Sequence, residues 1–81
     1  MREMEFKMEI NYPQIVPGAD VEVEESTLQG GLVVYYTIIP AIAMSGNFRR
    51  QERLENFHGK VLKIRESDGG AFYVTVGFDS K

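Results

Sequence analysis

The sequence contains no cysteine and a single histidine, His58. Without cysteine the chain has no disulfide, no thiolate nucleophile and no cysteine-bound metal, so packing or association must hold a small fold together. One histidine without a neighbouring motif does not support a catalytic triad, nor a ligand pair at metal-binding spacing. A calcium site built from carboxylates alone stays open. We therefore expect no catalytic residues, no metal site and no cofactor, and a protein that is not an enzyme.

Long hydrophobic runs are also absent. The longest apolar stretch, LVVYYTIIPAIAM at residues 32–44, has 13 residues and is interrupted by Pro40, whereas a membrane-spanning helix needs about 20. The first ten residues, MREMEFKMEI, alternate charged and apolar positions and lack the continuous apolar segment of a signal peptide. We expect a cytoplasmic protein without a membrane partner.

The composition is that of one folded domain spanning residues 1–81. Hydrophobic residues make up 43% of the chain and charged residues 26%, which are ordinary globular values. The net charge of −3 is distributed unevenly, since residues 1–27 hold two basic and seven acidic residues while residues 48–66 hold six basic and three acidic ones. Strands of opposite charge that pair across their exposed faces would explain this distribution.

Five stretches have the pattern of β-strands. Alternation of apolar with mostly charged residues predicts strands at residues 3–12 and 20–26, and alternation that puts Phe72, Val74, Val76 and Phe78 on one face predicts a strand at 71–79. GKVLKIRE at 59–66 predicts another. Residues 32–39 are apolar on both faces, which predicts the buried middle of a sheet that ends at Pro40. Residues 48–57 form either a one- to two-turn helix or an ordered loop. An Asp68-Gly69 turn predicts a hairpin between the last two strands.

The closing segments GKVLKIRE and GAFYVTVGFD resemble the last hairpin of SH3-like small barrels through their glycines and alternating apolar positions. The strand pattern and this resemblance together predict an all-β fold, a small five-stranded SH3-like barrel or roll with at most a short helical turn near residues 48–57. Such barrels serve mostly as binding modules for peptides, nucleic acid or their own copies. The resemblance therefore implies binding and not catalysis.

The basic segment at residues 49–65 supports an alternative function. Three arginines follow Phe48 within six residues, and basic side chains beside an aromatic ring can hold phosphates while the ring stacks on a base. The alternative is therefore nucleic-acid or nucleotide binding through Arg49, Arg50, Arg53, Lys60 and Lys63. Internal pairing of these arginines with glutamates would instead make the segment an ordinary solvated loop.

The same segment is similar to part of the cyclic di-GMP site of PilZ domains, which combines R-x-x-x-R with a later [DN]-x-S-x-x-G. Arg49 and Arg53 match the first element, and Ser67 and Gly70 match part of the second. Arg65 stands where that family has Asp or Asn, and the gap between the two elements is short. The resemblance would imply a cyclic dinucleotide ligand.

Residues 40–44, PAIAM, stay apolar where a surface loop would turn polar. They either plug one end of the barrel or form an interface, in which Ile42, Met44 and Phe48 meet a partner and the following arginines form a polar rim. We therefore predict a non-catalytic binding or assembly module that uses an apolar patch around residues 40–48. Its partner would be another protein or a second copy of the chain.

Overall fold

The computed structural model describes residues 1–39 and 43–79. Over these residues the fold is all-β, as predicted, and one antiparallel sheet contains seven strands. The strands are β1 (Arg2–Met8), β2 (Asp20–Leu28), β3 (Val33–Ile38), β4 (Ala43–Ser45), β5 (Phe48–Arg49), β6 (His58–Glu66) and β7 (Phe72–Phe78). The five predicted strands are all present, and the short β4 and β5 are additional.

Alternation places one face of each long strand in the core. In β1 the buried residues are Met4, Phe6 and Met8, and in β7 they include Val74 and Val76. The first strand is shorter than predicted, because the chain leaves the sheet after Met8 and turns. The remaining core residues lie on β2, β3, β4, β6 and β7 and in two loops. They are Ile15, Val21, Val23, Val34, Tyr36, Ile38, Ala43, Leu54, Val61 and Phe78.

Each strand pairs with two neighbours along most of the sheet. The order is β2-β6-β7-β1-β4-β3-β5, and β3 also pairs with β2. This double pairing arises because β2 pairs with β6 through Asp20–Glu22 in its first third and with β3 through Val23–Leu28 in the rest. The pairings from β2 through β6, β7, β1, β4 and β3 therefore return to β2.

The strand β3 is central, but it is not covered on both faces as predicted. Val34, Tyr36 and Ile38 point into the core and are buried, whereas the alternate residues of the strand are only half-buried. The two ends of the predicted stretch are exposed, with 68% of Leu32 and 49% of Ile39 accessible. Val33 and Tyr35 on the outer face of β3 are therefore partly accessible to solvent.

An extra residue interrupts the strand that runs beside β3. Met44 on β4 lies opposite Thr37, and Phe48 on β5 lies opposite Val34. Residues 37 and 34 are three positions apart on β3, whereas their partners 44 and 48 are four positions apart, so the neighbouring chain contains one extra residue. Such an irregularity disrupts the ladder locally. Here the Ser45 hydroxyl accepts a hydrogen bond from the Tyr36 backbone N–H at 2.9 Å, which satisfies the donor that the ladder leaves unpaired.

The segment at residues 48–57 contains one short 3-10 turn, Arg50–Glu52, after β5. This agrees with the prediction of at most a short helical turn, and the longer helix is absent because the chain is extended on both sides of that turn. The hairpin between β6 and β7 is also present. Its positive φ of 87° falls on Gly70, not on the predicted Asp68-Gly69 pair, because the loop is longer than a two-residue turn.

Candidate interaction surface

The outer face of β3 and its neighbours forms an apolar patch. Val33 and Tyr35 point outward from β3, where each is half-buried. Leu28 lies opposite Val33 on β2 and is 42% exposed, and Met44 lies opposite Thr37 on β4 and is 51% exposed. We name Leu28, Val33, Tyr35 and Met44 the β3 outer patch. Diagonal neighbours on one face of a sheet lie within reach of aromatic and long side chains, so Tyr35 joins the patch's two exposed ends.

Charged and polar residues surround the β3 outer patch. Lys7 lies opposite Met44 on β1, Glu24 lies opposite Thr37 on β2, and Arg49 lies opposite Val33 on β5. These pairings put one negative and two positive side chains at the borders of the patch. An apolar centre with a polar, mixed-charge rim is the usual composition of a protein interface.

An open groove extends the patch beyond Met44. The groove has a volume of about 490 Å³, and Ile10 and Tyr12 line it together with Met44. Ile10 is 61% exposed because β1 ends at Met8 and the chain has already left the sheet. The groove therefore adds Ile10 to the exposed side chains of Leu28 and Met44 as a third exposed aliphatic residue.

The structure does not bring together the predicted partner-binding residues. Met44 belongs to the outer face, whereas Phe48 lies opposite the buried Val34 and points inward, where its ring centroid is 6.4 Å from that of Tyr36. The Arg2 guanidinium covers the same ring at 5.5 Å. Ile42 lies outside the described residues, and so does most of the segment that would act as a plug or an interface. Of the three, Met44 alone is a described surface residue.

The basic residues of the alternative site are also dispersed. The Arg53 guanidinium binds the Glu25 carboxylate through two hydrogen bonds, of 2.6 and 3.2 Å. Lys60 lies opposite Asp20 on β2. Lys63 borders a shallow groove that Glu3 and Glu5 also line.

Arg65, in the same basic segment, also lies beside an acidic side chain. Its guanidinium lies 3.4 Å from a Glu5 carboxylate oxygen and 4.8 Å from the centroid of the Tyr73 ring. Acidic and basic side chains therefore alternate across the outer faces of β1, β2 and β6, in agreement with the predicted pairing of oppositely charged strands. Of the five residues of the alternative site, Arg53 is the one that forms a salt bridge within the described chain, whereas Arg49, Arg50, Lys60 and Lys63 form none there.

The two elements of the PilZ-like motif lie at opposite ends of β6. Arg49 and Arg53 precede this strand, whereas Ser67 and Gly70 follow it. The nine residues of β6 span roughly 26 Å at the rise of an extended strand. Arg53 binds Glu25, three residues along β2 from the Glu22 that pairs with His58 at the start of β6, so the structure does not bring Arg53 together with the turn after the other end of β6.

A polar network that was not predicted from the sequence lies beside β2 and β3. The Tyr36 hydroxyl donates to a Glu25 carboxylate oxygen at 2.8 Å and accepts from the Leu54 backbone N–H at 2.7 Å. Only 10% of the Glu25 side chain is exposed. The sequence did contain a signal, because alternation in β2 places residue 25 on the inward face with Val21 and Val23, where a carboxylate needs a partner.

The environment of Tyr36 changes its acidity. Burial raises the pKa of the Tyr36 hydroxyl, because the charged phenolate loses hydration, and the neighbouring Glu25 carboxylate raises it further. The hydrogen bond from Leu54 lowers the pKa of Tyr36 and is second in size to burial, and the charge of Arg2 lowers it slightly, but the pKa of Tyr36 stays raised. Tyr36 therefore remains a neutral donor to Glu25, and the network holds the segment at residues 53–57 against β2 and β3.

His58 is exposed at the start of β6, opposite Glu22. Within residues 1–39 and 43–79, no group of three His, Asp or Glu side chains is placed to share a metal ion. That part of the chain also has no helix with the length and apolar character required to cross a bilayer. No protein-family model, curated protein sequence or solved structure matches this chain.

Proposed function

We propose that this chain is a non-catalytic binding or assembly module that contacts a protein partner through the β3 outer patch. One observation supports this most strongly: Leu28 and Met44 are exposed, at 42% and 51%, and share one face of the sheet with the half-buried ring of Tyr35. A monomeric protein gains nothing from leaving such side chains in water, since covering them is favourable at about 25 cal/mol per Å².

The framework behind the patch supports the same function. The strand pairings return to β2, which favours a closed small barrel, the architecture that the final hairpin resembles. The patch lies on strands whose opposite faces are packed into the core, so little order is lost when a partner binds. A pre-organised face on a small barrel suits recognition of another folded protein.

The composition of the patch favours protein over nucleic acid as the partner. Tyrosine and methionine are enriched at protein interfaces, and arginine is common at their rims. Nucleic-acid binding requires a clustered positive surface, whereas Arg53 is paired with Glu25, and acidic residues lie beside Lys60 and Lys63. Lys7 and Arg49 therefore form, together with Glu24, a mixed-charge rim around the patch and not a phosphate-binding surface.

The proposal is tested by Met44→Asp, with Val16→Asp as the matched control. These side chains are similarly exposed, at 51% and 47%, so neither substitution buries a charge, and both variants should melt at the wild-type temperature. We expect Met44→Asp to abolish the complex with the partner, measured by light scattering or by capture on the immobilised protein, while Val16→Asp retains it. A Met44→Asp variant that binds every wild-type partner with unchanged affinity would contradict the proposal.

A further inference from the structure

The second half of β2 has an unpaired backbone edge. Pairing with β6 stops at Glu22, and the Val23 N–H donates to the Phe57 carbonyl oxygen at 2.9 Å. Beyond that point, residues 24–28 pair with β3 on one side, and the described chain offers no strand on the other. An open edge of this kind is a template for another strand.

The hydrogen-bond pattern identifies which groups are free. The Glu22 carbonyl accepts the Ile39 N–H, so residue 22 directs its backbone groups toward β3. Directions alternate along an antiparallel strand, and the Val23 N–H accordingly points the other way. The N–H and C=O groups of Glu25 and Thr27 therefore point to the open edge, where two residues offer four groups for pairing.

We propose that a second copy of the chain pairs antiparallel with this edge, with Ser26 of each copy on the twofold axis. In this register Glu25 faces Thr27 of the second copy, and each such pair exchanges two backbone hydrogen bonds. Glu24 faces Leu28 of the second copy. Four hydrogen bonds then join the copies, and no two like charges face each other across the seam.

Neighbouring registers are less favourable for identifiable reasons. A twofold axis at residue 24 or 25 sets a glutamate directly opposite its own copy, which is destabilising. An axis at residue 27 or beyond brings Gln29 into the pairing, and this residue has a φ of 53°, which ends the extended strand. We call residues 24–28 of β2 the free segment. A twofold axis at Ser26 therefore pairs the whole free segment with that of the second copy.

The charge and length of the free segment favour a second copy as its occupant. Arg53 already compensates Glu25 at 2.6 Å, so the carboxylate nearest the axis adds little repulsion. The free segment is bounded by the Phe57 contact at one end and the turn at Gln29 at the other, and the same segment of a second copy has the matching length. The inference goes beyond the proposed function, because it concerns a backbone edge and not the apolar patch.

The contact would also enlarge the β3 outer patch. In an antiparallel pair with a twofold axis normal to the sheet, both copies present their outer faces on the same side. The two patches then lie on one continuous face, on either side of the shared β2 seam. The dimer would offer a partner protein twice the apolar surface of a single chain.

Thr27→Pro tests the edge, with Thr27→Val as the matched control. Proline removes the N–H that points to the open edge and leaves the bonds between β2 and β3, while valine changes the side chain and keeps that N–H. We expect light scattering at increasing concentration to show the wild type and Thr27→Val rising from 9.2 kDa toward twice that mass. Thr27→Pro should remain a monomer with an unchanged circular dichroism spectrum.

A charge pair tests the register and does not depend on proline being tolerated. Ser26→Lys and Ser26→Asp should each be monomeric, because like charges meet at the axis, and an equimolar mixture of the two should regain the dimer mass. A wild type that stays at 9.2 kDa at every concentration would overturn the inference, as would a mixture without recovery. If Met44→Asp abolishes self-association and Thr27→Pro does not, the edge is refuted while the proposed function of the patch stands.

Discussion

The substitution Tyr36→Phe removes one hydroxyl from the polar network and leaves the ring in place. This hydroxyl accepts from the Leu54 N–H at 2.7 Å and donates to the Glu25 carboxylate at 2.8 Å. A hydrogen bond to a charged group contributes about 1.5–3 kcal/mol, and leaving a buried donor unsatisfied costs about 1–3 kcal/mol. Arg53 still binds Glu25 in the variant, so the carboxylate remains compensated. We expect a loss of about 3 kcal/mol in the free energy of unfolding.

Urea denaturation measures this loss directly, because the midpoint should fall while the slope with denaturant stays constant. The matched control is Tyr35→Phe on the opposite face of the same strand, where the side chain is half-buried and the effect should stay within about 0.5 kcal/mol. In a domain of this size, 1 kcal/mol corresponds to roughly 4–8 °C in Tm. If Tyr36→Phe is as stable as Tyr35→Phe, the network does not hold the 53–57 segment in place and the reasoning is refuted.

Three further predictions concern the core and pH. Phe78→Ala should cost about 3–5 kcal/mol, because the ring is 1% exposed; a loss below 1 kcal/mol in urea denaturation would place it outside the core. Gly59→Ala should cost about 1–3 kcal/mol, since a Cβ there would lie 2.8 Å from the Gly77 carbonyl oxygen, and an unchanged Tm would refute that crowding. Because the pKa of Tyr36 is raised by burial, its contribution is complete below the ordinary tyrosine pKa of about 10 and is lost as pH rises through the higher folded-state value. Wild-type stability should therefore fall in this alkaline range more steeply than that of Tyr36→Phe, and parallel pH profiles would contradict this.

Alternation was sufficient to predict the long strands. In β1 and in the first part of β2 the buried and exposed residues follow the period of two seen in the sequence, because one face of each strand packs into the core and the other meets water. In β7 the outer face is covered as well, since every residue from Val74 to Phe78 is buried. The short strands β4 and β5 have three and two residues, which is too few to show a period. The pairing order could not be predicted either, since it depends on contacts between distant segments.

The candidate site was only partly predictable, and the reason is a single extra residue. Residues 44 and 48 would share a face in a regular strand, because their spacing is even. The irregularity between β4 and β5 shifts the pairing by one residue, and a shift of one residue moves every later side chain to the other face. Phe48 therefore joins the core while Met44 stays outside. The residues that complete the patch, Tyr35 among them, were assigned by the sequence pattern to a covered strand.

Photo-crosslinking from position 35 tests the central claim, that the β3 outer patch is a protein-binding surface. A benzophenone amino acid in place of Tyr35 keeps an aromatic side chain at the centre of the patch, and the same replacement at Tyr73, which is also half-buried but lies on β7 under Arg65, is the matched control. We predict a discrete covalent adduct from position 35 in cells, of a mass that identifies a partner protein or a second copy, and none from position 73. Equal adducts from both positions, or none from position 35, would contradict it.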